Sequence, residues 1–223
     1  MREDTSVLIS GVKRLLTFMG VALISIASVL EAGAGNRVVA WGAGLSNNPA
    51  DNNDFGQSII PTNLTNAVFV AGGWRHSLAV KTDATLAAWG DDSLGQQDLP
   101  HDTNGYVAVA AGLLHSLALD GAGQVTVAGD DFYGQLDAPP GLGNIVAVSC
   151  GFYHSVALQA GGTVVAWGAG LTNDPSDTID FGQSIVPIDL TNVVAIAGGG
   201  RHSLALRADG TVVAWGAGLT NNP

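Results

Sequence analysis

The chain has 223 residues, 31 of them glycine, with 47% hydrophobic and only 12% charged residues, a balance that fits a compact, turn-rich protein and excludes a disordered one. Its formal net charge of −11 gives phosphate backbones and anionic membrane surfaces, both of which reward Lys and Arg clusters, no reason to bind, so nucleic acid is not an expected partner.

At the N terminus, Lys13-Arg14 precedes an apolar run from Leu15 to Leu30, followed by Ala32-Gly33-Ala34. A positive flank, an apolar centre and an A-x-A site predict a signal peptide over residues 1–34, hence an exported chain, secreted or at a bacterial cell surface, with no membrane insertion after cleavage. The alternative is a retained anchor, for which this run is short of the about 20 residues a span needs. No glutamate follows Glu31, while aspartates abound. Glu favours helices and Asp favours turns and caps, so residues 35–223 are expected to be all-β with many tight connections.

Those residues repeat. The string G-x-x-H-S recurs around His76, His115, His154 and His202, at spacings of 39, 39 and 48, and a Trp-Gly strand end recurs at Trp41, Trp89, Trp167 and Trp215. The nine extra residues fall in one connection, where GDDSLGQ and GDDFYGQ are replaced by GAGLSNNPADNNDFGQ and its near copy after Trp167. Each unit divides into an apolar run such as VVAIAGG, a run HSLAL, a run TVVAWG, and a segment ending in GQ and a proline. Short apolar runs separated by Asp-Gly-type turns read as buried antiparallel strands, and four per unit of about 40 to 50 residues predicts a β-propeller. The units are a half blade over 36–61, blades over about 67–100, 106–139 and 145–187, and an incomplete one over 193–223.

The ordered pattern G-x-x-H-S-L-A-L, a DG turn, V-x-A-W-G, then a loop ending in GQ and Pro resembles the regulator of chromosome condensation repeat, over Asn36 to Pro223. The resemblance implies a seven-bladed propeller of four-stranded blades that serves as a protein-binding platform. One eukaryotic relative promotes nucleotide exchange on a small GTPase. A secreted bacterial relative inhibits β-lactamases through loops on one propeller face, and the short copies here are more similar to that type. Seven blades need about 270 to 340 residues. The chain is therefore expected to form an incomplete part of such a ring, with closure by fewer blades as the lesser alternative. The third unit departs from the pattern, with Ala128 where a Trp is expected.

Four equivalent histidines invite a metal site. Packed sheets lie about 10 Å apart and zinc bonds are about 2 Å, so one histidine per blade is a structural hydrogen bonder instead. The Ser after each His repeats as scaffold, whereas a catalytic triad converges once, and adjacent strand residues point to opposite faces; no catalytic residue and no cofactor are expected. Asp51 and Asp54 in one long loop and Asp177 and Asp180 in the other offer oxygen ligands of the kind calcium takes, with Asx turns as the competing use. Cys150 aligns with Ala111, Gly72 and Gly198 and reads as a small buried residue.

Variation within constant units is the functional signal. The positions between Gly and His are Trp74-Arg75, Leu113-Leu114, Phe152-Tyr153 and Gly200-Arg201, and one short loop carries Phe132-Tyr133. Aromatic and Arg residues on loops of a rigid frame are the usual anchors of interfaces, so Trp74, Arg75, Leu114, Phe132, Tyr133, Phe152, Tyr153 and Arg201 are the candidate protein-binding residues. Packing between blades is the competing use of Trp74 and Phe152. The expected function is a secreted, non-enzymatic scaffold that binds another protein through one loop face. The alternative is a repeat segment of a large surface or adhesion protein with calcium in its long loops.

Overall fold

The computed structural model describes residues 38–46, 48, 54–101, 105–172 and 178–217. The signal-peptide prediction, Asp51 and Asp177 lie outside them. Twelve strands are present: β1 (Ala67–Gly72), β2 (His76–Lys81), β3 (Leu86–Gly90), β4 (Tyr106–Ala111), β5 (His115–Asp120), β6 (Val125–Gly129), β7 (Ile145–Cys150), β8 (His154–Gln159), β9 (Val164–Gly168), β10 (Val193–Gly198), β11 (His202–Arg207) and β12 (Val212–Gly216). They form four antiparallel sheets in chain order, β1-β2-β3, β4-β5-β6, β7-β8-β9 and β10-β11-β12.

The HSLAL run is the middle strand of every sheet, with a neighbour on each edge, and in the two inner sheets it also has a packed sheet on either face. Every residue of β5 and β8 but the last is buried, which explains why these runs are apolar throughout. The first strand of each sheet carries a register shift at its start, as between Tyr106 and Ala108, a bulge repeated in all four.

Three apolar layers join successive sheets. Leu78, Val80, Leu99, Tyr106 and Val109 form the first. Leu117, Leu119, Ile145 and Trp167 form the second. Val156, Leu158, Leu190, Val193 and Trp215 form the third.

Each described sheet has three strands where four were expected. The segment ending in GQ and Pro runs instead as turns held by its own side chains. Asp91 accepts from the Ser93 N–H at 3.0 Å, Gln96 accepts from the Leu94 N–H at 2.9 Å, and Asp92 accepts from the Gln97 N–H at 2.8 Å. These bonds occupy the backbone donors a fourth strand would have used. The half blade likewise forms no strand over residues 38–46, and Trp41, expected to end a core strand like its equivalents, is 82% exposed. Trp89, Trp167 and Trp215 are buried because their sheets supply a middle strand beside them, and Trp41 has none.

One local conflict is testable. The β2–β3 turn places Ala84 at φ 61°, where the other three hairpins have Gly123, Gly162 and Gly210. A side chain in the left-handed region costs roughly 1–2 kcal/mol, partly offset by the chain entropy a glycine would add. Ala84→Gly is expected to raise stability by up to about 1 kcal/mol in a urea melt.

Candidate interaction face

The strand register decides where the candidates lie. Gly72, His76 and Gly90 end or begin strands at the same edge of their sheet, because β2 pairs His76 with Gly90 and β1 pairs Gly72 with Ser77. All four sheets share this register, so the G-x-x-H-S connections and the loops that follow each Trp-Gly emerge together on one face.

Beneath that face a hydrogen-bonded relay locks each sheet to the next. Nε2 of His76 lies 2.9 Å from Ser116 Oγ, that of His115 lies 3.1 Å from Ser155 Oγ, and that of His154 lies 2.9 Å from Ser203 Oγ. Each Ser hydroxyl donates onward to the carbonyl of the glutamine in the GQ segment, Ser116 to Gln96 at 2.7 Å and Ser203 to Gln183 at 3.0 Å. The hydroxyl's proton being so used, the serine accepts and the histidine donates, which assigns the proton to Nε2. Trp89, Trp167 and Trp215 donate from Nε1 to the carbonyls of Gln57, Gln135 and Gln183. Ala128 leaves Gln96 without this second bond from an indole.

The three relay histidines are fully buried, and burial holds them neutral: His76 is pushed down to about 4, His115 to about 3 with the neighbouring His154 and His76 adding to the effect, and His154 to about 4. Their Nδ1 atoms have no hydrogen-bond partner among the described residues. Cys150 is half-exposed by surface area, yet its thiol is pushed far above its ordinary range by desolvation, and its place beside Gly198 is that of a small packing residue.

Above the relay the backbone continues the stitching. Trp74 N–H donates to Gly112 O at 3.2 Å, Leu113 N–H to Phe152 O at 3.2 Å, and Phe152 N–H to Gly200 O at 3.0 Å. A cavity of about 340 Å³ opens here, lined by all four of these connections.

On this base the variable side chains form three patches. Phe132, Tyr133, Tyr153 and Phe152 make a continuous aromatic row, with successive ring centroids 4.9, 5.0 and 6.4 Å apart. The Arg75 guanidinium stacks over Trp74 at 3.7 Å and over Phe55 at 4.7 Å. Arg201, exposed, lies over Phe181 at 5.5 Å. Phe132 is 81% exposed, and Trp74 and Phe152 are each 47% exposed. Phe152 also packs towards Gly200, so part of its ring is used in packing between blades while the rest is exposed. Leu113 is buried and Leu114 half-buried, making that blade the least prominent on the face.

The long loops are closed by their aspartates. Asp54 accepts from the Ser46 N–H and hydroxyl and from the Gly56 N–H; Asp180 accepts from the Thr172 N–H and hydroxyl and from the Gly182 N–H. These are Asx-type bonds across the neck of each insertion. The buried glutamines of the GQ segments, which carry the relay's acceptors, were missed as framework residues although their recurrence in every unit was the available signal.

Comparison with known proteins follows the same lines. The family model described as the regulator of chromosome condensation (RCC1) repeat matches residues 67–96, 106–135, 145–172 and 193–221. Among solved structures, human WBSCR16 is similar with a TM-score of 0.55 at 22% identity, covering 70% of this chain and 51% of that one. Prp20p from Saccharomyces cerevisiae, described with its binding properties to Gsp1p and histones, is similar with a TM-score of 0.54 at 24% identity, covering 67% of this chain and 43% of that one. A structure of Kap60 bound to yeast RCC1 (Prp20) gives a TM-score of 0.54 at 23% identity, covering 67% and 42%. This chain thus spans about half or less of the length of these structures, and the likeness is one of fold. No curated protein sequence matches it.

Proposed function

The chain belongs to the regulator of chromosome condensation (RCC1) repeat family, and from that premise we propose that it is a binding scaffold which captures another protein on the face carrying the G-x-x-H-S connections. The observation that carries this reading is the split between constant and variable residues. The repeated His, Ser and Gln residues and the buried Trp residues are spent on the relay, the Trp-Gln bonds and the sheets, while the residues that change from blade to blade include Trp74, Phe132, Phe152 and Arg201, exposed above them. Rigid aromatic and Arg side chains supply contact area at low entropic cost and dominate the energetics of interfaces. Propellers of this family commonly mediate protein interactions, and Prp20p, described with its binding to Gsp1p and histones and in a complex with Kap60, is a named instance of that use.

A binding role fits the fate of the Ser and His side chains. Each buried His is committed to a serine across the sheet boundary, and each of those hydroxyls to a glutamine carbonyl, so neither is poised as base or nucleophile. We further propose that the chain works outside the cytoplasm, on the strength of its N-terminal sequence.

The test compares proteins retained by the immobilised chain, by a Trp74→Ala/Phe132→Ala/Phe152→Ala variant, and by a Lys81→Ala/Asp209→Ala variant of the opposite face. A partner kept by the wild type and the opposite-face variant and lost by the triple variant is the expected result. Equal retention by all three would refute the assignment of the face.

A further inference from the structure

Two variable positions, twenty residues apart, change together from unit to unit. The residue before GQ is Phe55, Leu94, Tyr133 or Phe181, and the residue before the repeated histidine is Arg75, Leu114, Tyr153 or Arg201. Phe goes with Arg both times a long loop leads into GQ, while the two short loops give Leu with Leu and Tyr with Tyr.

The backbone holds both positions alike in all four cases. The N–H of the residue before GQ donates to Oε1 of the glutamine, from Phe55 and Leu94 at 2.9 Å, from Tyr133 at 2.7 Å and from Phe181 at 2.8 Å. The carbonyls of Arg75, Leu114, Tyr153 and Arg201 accept at 2.8 Å from the N–H groups of Asp91, Asp130, Ala169 and Ala217. Each glutamine carbonyl receives the hydroxyl of the serine twenty residues later, which docks the GQ segment on the sheet that follows it. With both backbones fixed, the variable side chains meet. The Arg75 guanidinium lies 4.7 Å from the Phe55 ring centroid and that of Arg201 lies 5.5 Å from that of Phe181, and the Tyr133 and Tyr153 rings are 5.0 Å apart.

We infer that these two positions are a matched pair by which each GQ segment recognises the sheet it docks on. Phe takes Arg through cation–π attraction, Tyr takes Tyr through ring packing, and Leu94 takes Leu114 by aliphatic contact at the same two backbone positions. The main-chain and serine bonds are the same in every unit and cannot tell one GQ segment from another. The pair can: Leu94 opposite Arg75 would leave the guanidinium without a ring, and Phe55 opposite Leu114 would leave the ring without a cation. Discrimination of this kind disfavours docking on the wrong sheet, a characteristic hazard of repeat chains. Arg75 and Arg201 are thereby specificity residues of the fold, holding the segments that end the two long loops. The inference does not depend on the binding role of the loop face.

Calorimetric melts of variants of the full chain test the pairing. Phe181→Arg sets two guanidiniums against each other and is expected to lower Tm by roughly 5 °C. Adding Arg201→Phe restores a ring and a cation in reversed order, so the double variant should melt roughly 3 °C or more above the sum of the two single changes. Arg75→Phe removes the same charge from another sheet, and its effect should add to that of Phe181→Arg within about 1–2 °C. Tyr133→Arg and Tyr153→Arg each keep a cation over a ring and should each shift Tm by less than about 2 °C, whereas the double variant should lose at least about 3 °C beyond their sum. Strict additivity of Phe181→Arg with Arg201→Phe, or equal rescue by Arg75→Phe, would overturn the inference. So would additive tyrosine variants, which decide the matter alone if Phe181→Arg fails to fold.

Discussion

Gly151→Ala is expected to destabilise the protein by about 3 kcal/mol or more, lowering Tm by roughly 6–12 °C. A Cβ at this position would stand 2.0 Å from Cε1 and 2.3 Å from Nδ1 of His154 and 2.5 Å from the carbonyl oxygen of Gly199. The first obstacle is a ring locked by its bond to Ser203, and the second is backbone of the neighbouring sheet, so neither can withdraw without opening the boundary between the third and fourth sheets. Gly161→Ala is the control. It lies in the β8–β9 turn at an ordinary φ with no heavy atom within 4 Å of a new Cβ, and its change should stay within about 0.5 kcal/mol. Calorimetric melts of both variants check the pair; a Gly151→Ala loss no larger than that of Gly161→Ala would mean the histidines do not pack against the glycines as described.

The second large effect is on pH. His76, His115 and His154 have folded-state values lowered by burial to about 4, about 3 and about 4, below the ordinary 6.5 that each regains on unfolding. Between these limits the unfolded chain binds protons that the folded chain refuses. The stability they contribute is fully present above about pH 6.5 and is lost as pH falls towards 4 and then 3. Each histidine adds a slope of up to about 1.4 kcal/mol per pH unit, so the three together approach about 4 kcal/mol per pH unit around pH 5. Tm should fall steeply from pH 6 to 4.5, with close to three protons taken up per molecule unfolded, and His115→Gln should remove about one of them. A flat Tm across this interval would be incompatible with neutral buried histidines.

Much of this frame was legible in the sequence. The apolar runs, their turns and the repeat gave every strand of the four sheets, since a middle strand buried on both faces must be apolar throughout and the Asp-Gly turns mark its ends. The structural role of the histidines was legible as well. Their partners were not: they lie 40 or 49 residues away in the chain. Adjacent His and Ser point to opposite faces, which is what lets one sheet offer His forwards and Ser backwards. The fourth strand failed because Asp and Gln side chains of the GQ segment compete for its backbone donors, a local contest that apolar periodicity does not register. Trp41 was expected in a core on the strength of its motif, but burial of a strand-end Trp needs a middle strand beside it. The aromatic row was visible only as separate residues. Phe132-Tyr133 and Phe152-Tyr153 meet because a loop after one Trp-Gly equivalent and the next G-x-x-H-S connection emerge at the same edge.

The central claim is that exposed side chains of the loop face are surplus to the fold, while the relay beneath them is not. Calorimetric melting of the Trp74→Ala/Phe132→Ala/Phe152→Ala variant beside the wild type tests this most directly. The account predicts a single cooperative transition within about 4 °C of wild type, the equivalent of roughly 1 kcal/mol for a chain of this size. A fall of roughly 10 °C or more, or a broadened transition, would return these aromatics to the packing between blades and contradict the claim.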